Sequence, residues 1–173
     1  VLCSAYGNDW RAWPLEFQSP DSPQVDKFSQ ENADKIEFQE WMQWIAADQL
    51  SNAQQGAVDS GMSLGIVTDL AVGVSAASAD TWMMSDIYAL DISVGAPPDN
   101  YNQLGQDWGQ PPWRPDKLAE TAYEPFRKMV RTALGHSGGV RIDHIIGMFR
   151  LWWIPRGDNA SRGTYVGYDH EAM

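Results

Sequence analysis

Arg141, Asp143 and His144 lie in a short apolar segment near the end of the chain, VRIDHIIGMF over residues 140–149. Apolar and polar residues alternate at its start, which predicts a β-strand over residues 140–144. Since side chains alternate along a strand, Arg141 and Asp143 would share one face. A guanidinium beside a carboxyl group favours the ionised form of that carboxyl. An ionised carboxylate in a partly sheltered place can act as a nucleophile.

The same residues also have structural interpretations. Arg141 and Asp143 could form a buried ion pair that fixes the register of the strand, and spacing alone leaves this open. His144 by itself is typical of a hydrogen-bonded structural histidine. Asp69, in the segment GIVTDL, either belongs to a site or caps the next turn.

Helices must position these residues. The longest one is predicted from about residue 33 to about residue 60, where apolar residues recur at helical spacing. Gly61 is expected to end it. We expect Trp41 and Trp44 of this helix to face the core. An earlier helix start is predicted at Ser22-Pro23, a capping residue followed by proline.

Strands alternate with the helices along the chain. A strand candidate lies within residues 62–74, with Asp69 towards its C-terminal end. A second helix is predicted from about Asp116 to about His136, directly before the strand at 140–144. This alternation predicts an α/β fold with parallel strands. In such folds functional side chains collect at the C-terminal ends of the strands.

A long segment between these elements is rich in Gly, Pro, Asn and Gln. It reads ISVGAPPDNYNQLGQDWGQPPWRP, residues 92–115, and is predicted to be a loop. Loops of this length inside a compact domain are uncommon and are often functional. Flat aromatic faces suit sugar rings and nucleic-acid bases alike, although most tryptophans in proteins serve packing.

The composition of the chain argues against several classes of function. A chain of 173 residues that is 43% hydrophobic and 20% charged is globular in character. The net charge of −11 disfavours a nucleic-acid partner. No apolar run reaches the roughly 18 residues of a membrane span, so no membrane partner is expected. The single cysteine, Cys3, excludes an intramolecular disulfide and favours a reducing, cytoplasmic location.

Several long motifs resemble those of one enzyme family. VRIDHIIGMFRLWWIP resembles the nucleophile segment of the 4-α-glucanotransferases, the amylomaltases or disproportionating enzymes of glycoside hydrolase family 77. GAPPDNYNQLGQDWGQPPWRP resembles that family's substrate-binding loop, and GIVTDLAVGV resembles its earlier strand with an aspartate at the end. GNDWRAWP near the start and YDHEAM at the end are similar as well, in the same order.

The resemblance implies a fold and a domain organisation. It implies an α/β chain that forms part of a (β/α)8 TIM barrel, its middle strands and helices only, with a helical insertion. Residues 1–60 would be the helical insertion, and residues 61–173 the central part of the catalytic barrel with the 92–115 substrate loop. A full barrel takes about 250 residues, so we expect a fragment of a larger enzyme. Exposed sheet edges in such a fragment favour self-association.

The resemblance also implies roles for individual residues. Asp143 matches the nucleophile of a retaining transfer that passes through a covalent glycosyl-enzyme intermediate, and Arg141 matches the arginine that holds and ionises it. His144 and Asp69 match polar residues of the donor subsite. The substrate loop would contribute Asp99, Tyr101, Asn102, Gln106 and Trp108. The implied substrate is a maltooligosaccharide or another α-1,4-glucan, with no cofactor and no metal.

The family's acid/base glutamate and third catalytic aspartate lie beyond YDHEAM, so the fragment alone is expected to be inactive.

Two other functions remain open. The chain could instead be an α-glucan-binding module that uses its nine tryptophans. It could also be a fragment of an α-glucan hydrolase, because the choice of acceptor is not legible in the sequence.

Overall fold

The computed structural model describes residues 1–172, which form two compact units. The first unit comprises Val1–Leu70 and Met129–Arg141, and the second comprises Ala71–Lys128 and the chain from Ile142 onward. Helices and strands are mixed throughout, so the predicted α/β class is confirmed. The predicted domain boundary after residue 60 follows neither unit and stays a prediction.

The elements are short apart from one helix. The α-helices are α1 (Leu2–Tyr6), α2 (Pro23–Glu31), α3 (Ala33–Asp59), α4 (Ala79–Met83), α5 (Pro115–Glu120) and α6 (Glu124–Leu134). The strands are β1 (Val67–Leu70), β2 (Ile92–Ala96), β3 (Gln106–Gln110), β4 (Gly139–Ile142), β5 (Arg150–Pro155) and β6 (Thr164–Gly167). Short 3₁₀ helices cover Trp10–Ala12, Leu15–Phe17, Ile145–Met148 and Ala160–Arg162. In the part of the chain that is described, no helix is both long enough and apolar enough to cross a bilayer.

Local capping signals set the ends of α2 and α3 as predicted. The hydroxyl of Ser22 accepts the backbone N–H of Val25 at 3.2 Å, at the start of α2. Beyond α3, Gly61 has φ of +93° and donates to the carbonyl of Val58, while the next amide donates to the carbonyl of Ala57. These two hydrogen bonds form a Schellman motif, whose left-handed position favours glycine.

The predicted core-facing stripe of α3 is wrong. Trp41 is 52% exposed and Trp44 is 62% exposed. Phe38 is also exposed, and its ring stacks on Trp41 with centroids 5.8 Å apart. Helical spacing shows that apolar residues can share a face, but it does not show which element covers that face. None of the residues of α3 is buried.

In the first unit, β1 pairs with β4 in a two-stranded sheet. A side chain of α3 supports the entry into β1: Gln54 Oε1 accepts the N–H of Ile66 at 2.6 Å, and Gln54 Nε2 donates to the carbonyl of Leu64 at 3.0 Å. Gly138 N donates to the carbonyl of Ile66 at 2.9 Å, just before β4. The strand predicted within residues 62–74 therefore exists but is shorter.

The second unit contains a four-stranded sheet in the order β3-β2-β5-β6. All three pairings are antiparallel. The two strands that were expected to be parallel, within residues 62–74 and at residues 140–144, belong to the other sheet, so that expectation stays a prediction. The connections from β2 to β3 and from β5 to β6 are hairpin-like. A parallel pair instead needs a long crossover, usually through a helix.

Two of these strands lie in the segment that was predicted to be a loop. β2 and β3 both fall within residues 92–115 and pair with each other. The glycine that looked like a loop former, Gly95, is required by the strand pairing itself. A Cβ at this position would lie 1.9 Å from the carbonyl oxygen of Gln106 and 2.7 Å from Cδ1 of Ile154.

The helix predicted over residues 116–136 is interrupted. α5 ends before Thr121 and α6 begins at Glu124, with Ala122 and Tyr123 at φ of 50° and 59°. Pro125 explains the break, because its ring would clash with the carbonyl four residues earlier in a continuous helix.

The core of the second unit gathers around Leu118, which is completely buried, together with Ile87 and Tyr168. The hydroxyl of Tyr168 donates to the carbonyl of Trp113 at 2.7 Å. Burial raises the pKa of Tyr168 above its usual value, so this hydroxyl stays protonated and remains a donor. Leu151 and Trp153 of β5 pack against this cluster.

Truncation of Leu118 tests this core. We expect Leu118→Ala to lower the free energy of unfolding by about 2–5 kcal/mol, because it removes fully buried methyl groups and leaves a cavity. Urea unfolding measures the change. Leu104→Ala is the matched control, since Leu104 is 73% exposed, and it should change the free energy by less than about 0.5 kcal/mol. Equal effects of the two variants would contradict this assignment of the core.

Candidate active site

A groove of about 340 Å³ in the second unit brings several predicted residues together. Its lining residues are Val72, Trp108, Gln110, Asp143 and His144. Three of them, Trp108, Asp143 and His144, were predicted from the sequence. The other two were not.

Asp143 projects from a turn and not from a strand. β4 ends at Ile142, so the predicted strand over residues 140–144 stops before Asp143, and the argument that Arg141 and Asp143 share a strand face is wrong. His144 follows in the left-handed region, with φ and ψ both 49°. Its backbone N–H donates to Asp143 Oδ1 at 3.0 Å. This turn leaves the Asp143 side chain exposed in the groove.

The indole of Trp108 forms another part of the groove. Its ring meets the imidazole of His144 edge to face, with centroids 5.0 Å apart and an interplanar angle of 88°. This geometry is one that aromatic rings favour. Trp108 Nε1 donates to Gln106 Oε1 at 2.9 Å. The predicted residue Gln106 therefore orients Trp108.

Gln110 and Val72 are the groove residues that sequence reasoning missed. Gln110 lies two positions after Trp108 on the same strand, and residues at this spacing tend to share a face. That signal was available in the motif GQDWGQ. The side chain of Gln110 packs over Gly73, where a Cβ would lie 2.7 Å from its Oε1. Val72 precedes this glycine, and no pattern in the neighbouring residues marks Val72 as part of a site.

Arg141 pairs with Asp69, whereas the sequence predicted a pairing with Asp143. Arg141 Nε lies 2.6 Å from Asp69 Oδ1, and Arg141 Nη2 lies 2.7 Å from Oδ2. This is the two-pronged geometry that suits a guanidinium and a carboxylate. The side chains of Arg141 and Asp69 are 69% and 60% exposed, so the interpretation as a buried pair is also wrong.

The remaining predicted residues form a turn between β2 and β3. Asp99 Oδ1 accepts the backbone N–H groups of Tyr101 and Asn102 at 2.8 and 2.6 Å. The carbonyl of Asn102 accepts the N–H of Gly105 at 3.0 Å. Tyr101 is fully exposed, and none of Asp99, Tyr101 and Asn102 lines the groove. Their role in substrate binding stays a prediction.

The groove combines one carboxylate with an imidazole, an indole face and a primary amide. The carboxylate can act as a nucleophile, and the other groups can stack on or hydrogen-bond a polyhydroxylated ring. Within residues 1–172 there is no group of three or more His, Cys, Asp or Glu side chains that could hold a metal ion.

Comparison with known sequences shows one family over nearly the whole chain. The profile of glycoside hydrolase family 77, described as 4-alpha-glucanotransferase, matches residues 2–173. The chain is 55% identical over 173 residues to a 4-alpha-glucanotransferase of Mycobacterium tuberculosis, covering all of this chain and 24% of the relative. It is 40% identical over 164 residues to the 4-alpha-glucanotransferase of Haemophilus influenzae, covering 95% of this chain and 24% of the relative. The chain thus spans about a quarter of the length of these relatives.

Two solved structures with similar folds are amylomaltases. The crystal structure of the amylomaltase of Corynebacterium glutamicum matches with a TM-score of 0.75 and 55% identity, over 76% of this chain and 19% of that chain. The amylomaltase of Streptococcus agalactiae, solved in complex with acarbose, matches with a TM-score of 0.88 over 99% of this chain and 36% of that chain. Its identity is 22%, so this second likeness concerns the fold alone.

A double-mutant cycle on Arg141 and Asp69 tests whether their pair is structural. Because both side chains are mostly exposed, we expect a coupling energy of only about 0.2–1 kcal/mol. Unfolding of Arg141→Ala, Asp69→Ala and the double variant measures it. The exposed pair of Arg162 and Asp158, 3.5 Å apart, is the matched control and should give a similar value. A coupling above about 2 kcal/mol for Arg141 and Asp69 alone would mark a structural role, because exposed pairs do not reach it.

Proposed function

Because the chain belongs to the 4-alpha-glucanotransferase family of glycoside hydrolases, we propose that Asp143 is the nucleophile of an enzyme that transfers α-1,4-glucan segments between maltooligosaccharides. The observation that carries this proposal is the groove, in which an exposed carboxylate lies beside an imidazole and an indole. These are the residues that the family motif places in the nucleophile segment and the substrate loop.

The geometry of Asp143 suits attack on a sugar. The N–H of His144 donates to Oδ1, which holds the carboxylate in one orientation and leaves Oδ2 as the attacking atom. In the retaining reaction this oxygen forms a bond to the anomeric carbon while the glycosidic C–O bond breaks. The leaving oxygen takes a proton from a general acid. A hydroxyl group of a second glucan then displaces Asp143, and its proton returns to the same acid.

Trp108 and His144 are proposed to hold the glucan. The indole N–H of Trp108 is already used by Gln106, so the flat face of its ring is the part available to a pyranose. The imidazole of His144 can hydrogen-bond a sugar hydroxyl. The acarbose complex of the amylomaltase of Streptococcus agalactiae supports an oligosaccharide-like ligand for this fold.

The general acid is proposed to come from outside this chain. Retaining chemistry needs two carboxyl groups about 5–5.5 Å apart. Among the described residues that line the groove, Asp143 is the one carboxylate. We therefore propose that this chain alone binds glucans without turning them over, and that it forms the middle part of a larger barrel. Hydrolysis in place of transfer is the alternative reaction for the full-length enzyme.

The other residues named by the resemblance keep their proposed roles. Asp69 and Arg141 form one ion pair, and the part of this pair in the donor subsite stays a prediction. The turn of Asp99, Tyr101 and Asn102 is proposed to cover bound substrate, with the exposed ring of Tyr101 as its contact. Cytoplasmic location and self-association of this chain stay predictions.

Replacement of the nucleophile tests the reaction. In the full-length enzyme, Asp143→Asn should lower glucose release from maltotriose by more than about a thousandfold, because the amide cannot form the glycosyl ester. Asp158→Asn makes the same chemical change at a carboxylate that does not line the groove, and should leave the rate unchanged. Retained transfer by Asp143→Asn would reject this residue as the nucleophile.

The 173-residue chain itself separates a binding function from a catalytic one. We expect calorimetry to detect binding of acarbose or maltoheptaose, and a glucose assay to detect no turnover of maltotriose, because a missing general acid costs about 10²–10⁴ in rate. Asp143→Ala in this chain controls for binding outside the groove. Turnover by the chain would contradict the proposal that the acid lies elsewhere.

A further inference from the structure

The pairing of β2 with β3 is irregular where β3 contributes its residues to the groove. Val94 and Gly95 are consecutive on β2, but their partners on β3 are Gln110 and Asp107. Two residues, Trp108 and its successor, therefore have no counterpart on β2. Such a β-bulge bends its strand and changes the direction of the side chains next to it.

The side chain of Asp107 forms hydrogen bonds across this bulge. Its Oδ1 accepts the backbone N–H of Gly109 at 2.8 Å, and it also accepts the hydroxyl of Ser93 on the neighbouring strand. Gly109 has φ of +70°, a conformation that favours glycine. Ser93 is buried, with 7% of its surface exposed. One carboxylate oxygen thus ties the extra residues of β3 to β2.

Both side chains that β3 contributes to the groove flank this connection. Trp108 is the first bulged residue, and its ring contacts His144. Gln110 is the first residue after the bulge, and it packs over Gly73. Without the bulge, the register that pairs Gly95 with Asp107 would move both side chains to other positions. The location of Trp108 and Gln110 in the groove therefore follows from the bulge that the Asp107 carboxylate bridges.

We propose that Asp107 is a positioning residue for glucan binding: its carboxylate holds the β3 bulge that places Trp108 and Gln110 in the groove beside Asp143. Asp107 itself is absent from the groove lining, so it acts through these two residues. Gln110 is then a direct glucan contact, with its amide available to sugar hydroxyl groups. This inference rests on the proposed function, because the ligand of the groove is taken to be a glucan.

Two substitutions at Asp107 separate positioning from bulk stability. Asp107→Ala removes the acceptor of both hydrogen bonds and leaves the buried Ser93 hydroxyl only its long, 3.4 Å contact with the carbonyl of Val94. Asp107→Asn keeps a carbonyl oxygen at the same place and removes only the charge. In the full-length enzyme, we expect Asp107→Ala to raise KM for maltotriose and Kd for acarbose about five- to tenfold, with kcat within about twofold. Asp107→Asn should have the wild-type values of KM for maltotriose and of Kd for acarbose.

The indole N–H resonance of Trp108 provides a readout that does not depend on activity. In the NMR spectrum of the 173-residue chain, this resonance is assigned by its absence from the spectrum of the Trp108→Phe variant. Asp107→Ala should shift this resonance and speed amide exchange at Gly109, whereas Asp107→Asn should change neither. Ser93→Ala removes one of the two hydrogen bonds and should give a smaller shift, which keeps the test available if Asp107→Ala does not fold.

The outcomes for the two proposals are distinguishable. Wild-type KM and an unshifted Trp108 resonance in Asp107→Ala would overturn the positioning role. An Asp107→Asn variant as impaired as Asp107→Ala would also overturn it, because the charge and not the acceptor geometry would then matter. Full transfer by Asp143→Asn would overturn the proposed function, and the Trp108 resonance would still report whether Asp107 holds the bulge.

Discussion

The close approach of β3 to β2 at Gly95 is the constraint on which the groove depends. The carbonyl of Gln106 occupies the place where any other residue would carry its Cβ, and Ile154 of β5 fills the adjoining space. This contact fixes the pairing of Gly95 with Asp107, and the pairing in turn leaves two residues of β3 in a bulge. Packing in the sheet thereby determines where an aromatic side chain meets the solvent.

The groove joins one ordered strand to one tight turn. β3 contributes the indole and the amide from a sheet whose strands pair on backbone hydrogen bonds. The turn after β4 contributes the carboxylate and the imidazole, and the left-handed conformation of His144 ends the strand there. A non-glycine residue in this region is uncommon and is favoured where the surrounding structure holds it. The contact between Trp108 and His144 connects the two contributors directly.

Short-range signals in the sequence were reliable, and long-range pairings were not. Ser22 and Gly61 mark helix ends through hydrogen bonds within a few residues, so their sequence context sufficed. The motif around Asp143 is equally local. The partner of Arg141 lies 72 residues away, and no spacing rule identifies it.

The segment over residues 92–115 contains two strands although its sequence predicts a loop. Glycine and proline are typical of loops, whereas here Gly95 is needed for the close pairing of two strands. The bulge at Asp107 was missed because register follows from packing between strands.

The long helix α3 has a consequence for the dynamics of the first unit. Its 27 residues include no buried side chain. Within that unit, side-chain hydrogen bonds hold its C-terminal half through Gln54 to the entry of β1 and through Ser51 to His136, at 2.7 Å. A helix with so little buried apolar surface opens locally at a small fraction of the global unfolding free energy. Its amides should therefore lose protection from solvent deuterium well before those of the β2–β5 pairing, and from the N-terminal half first.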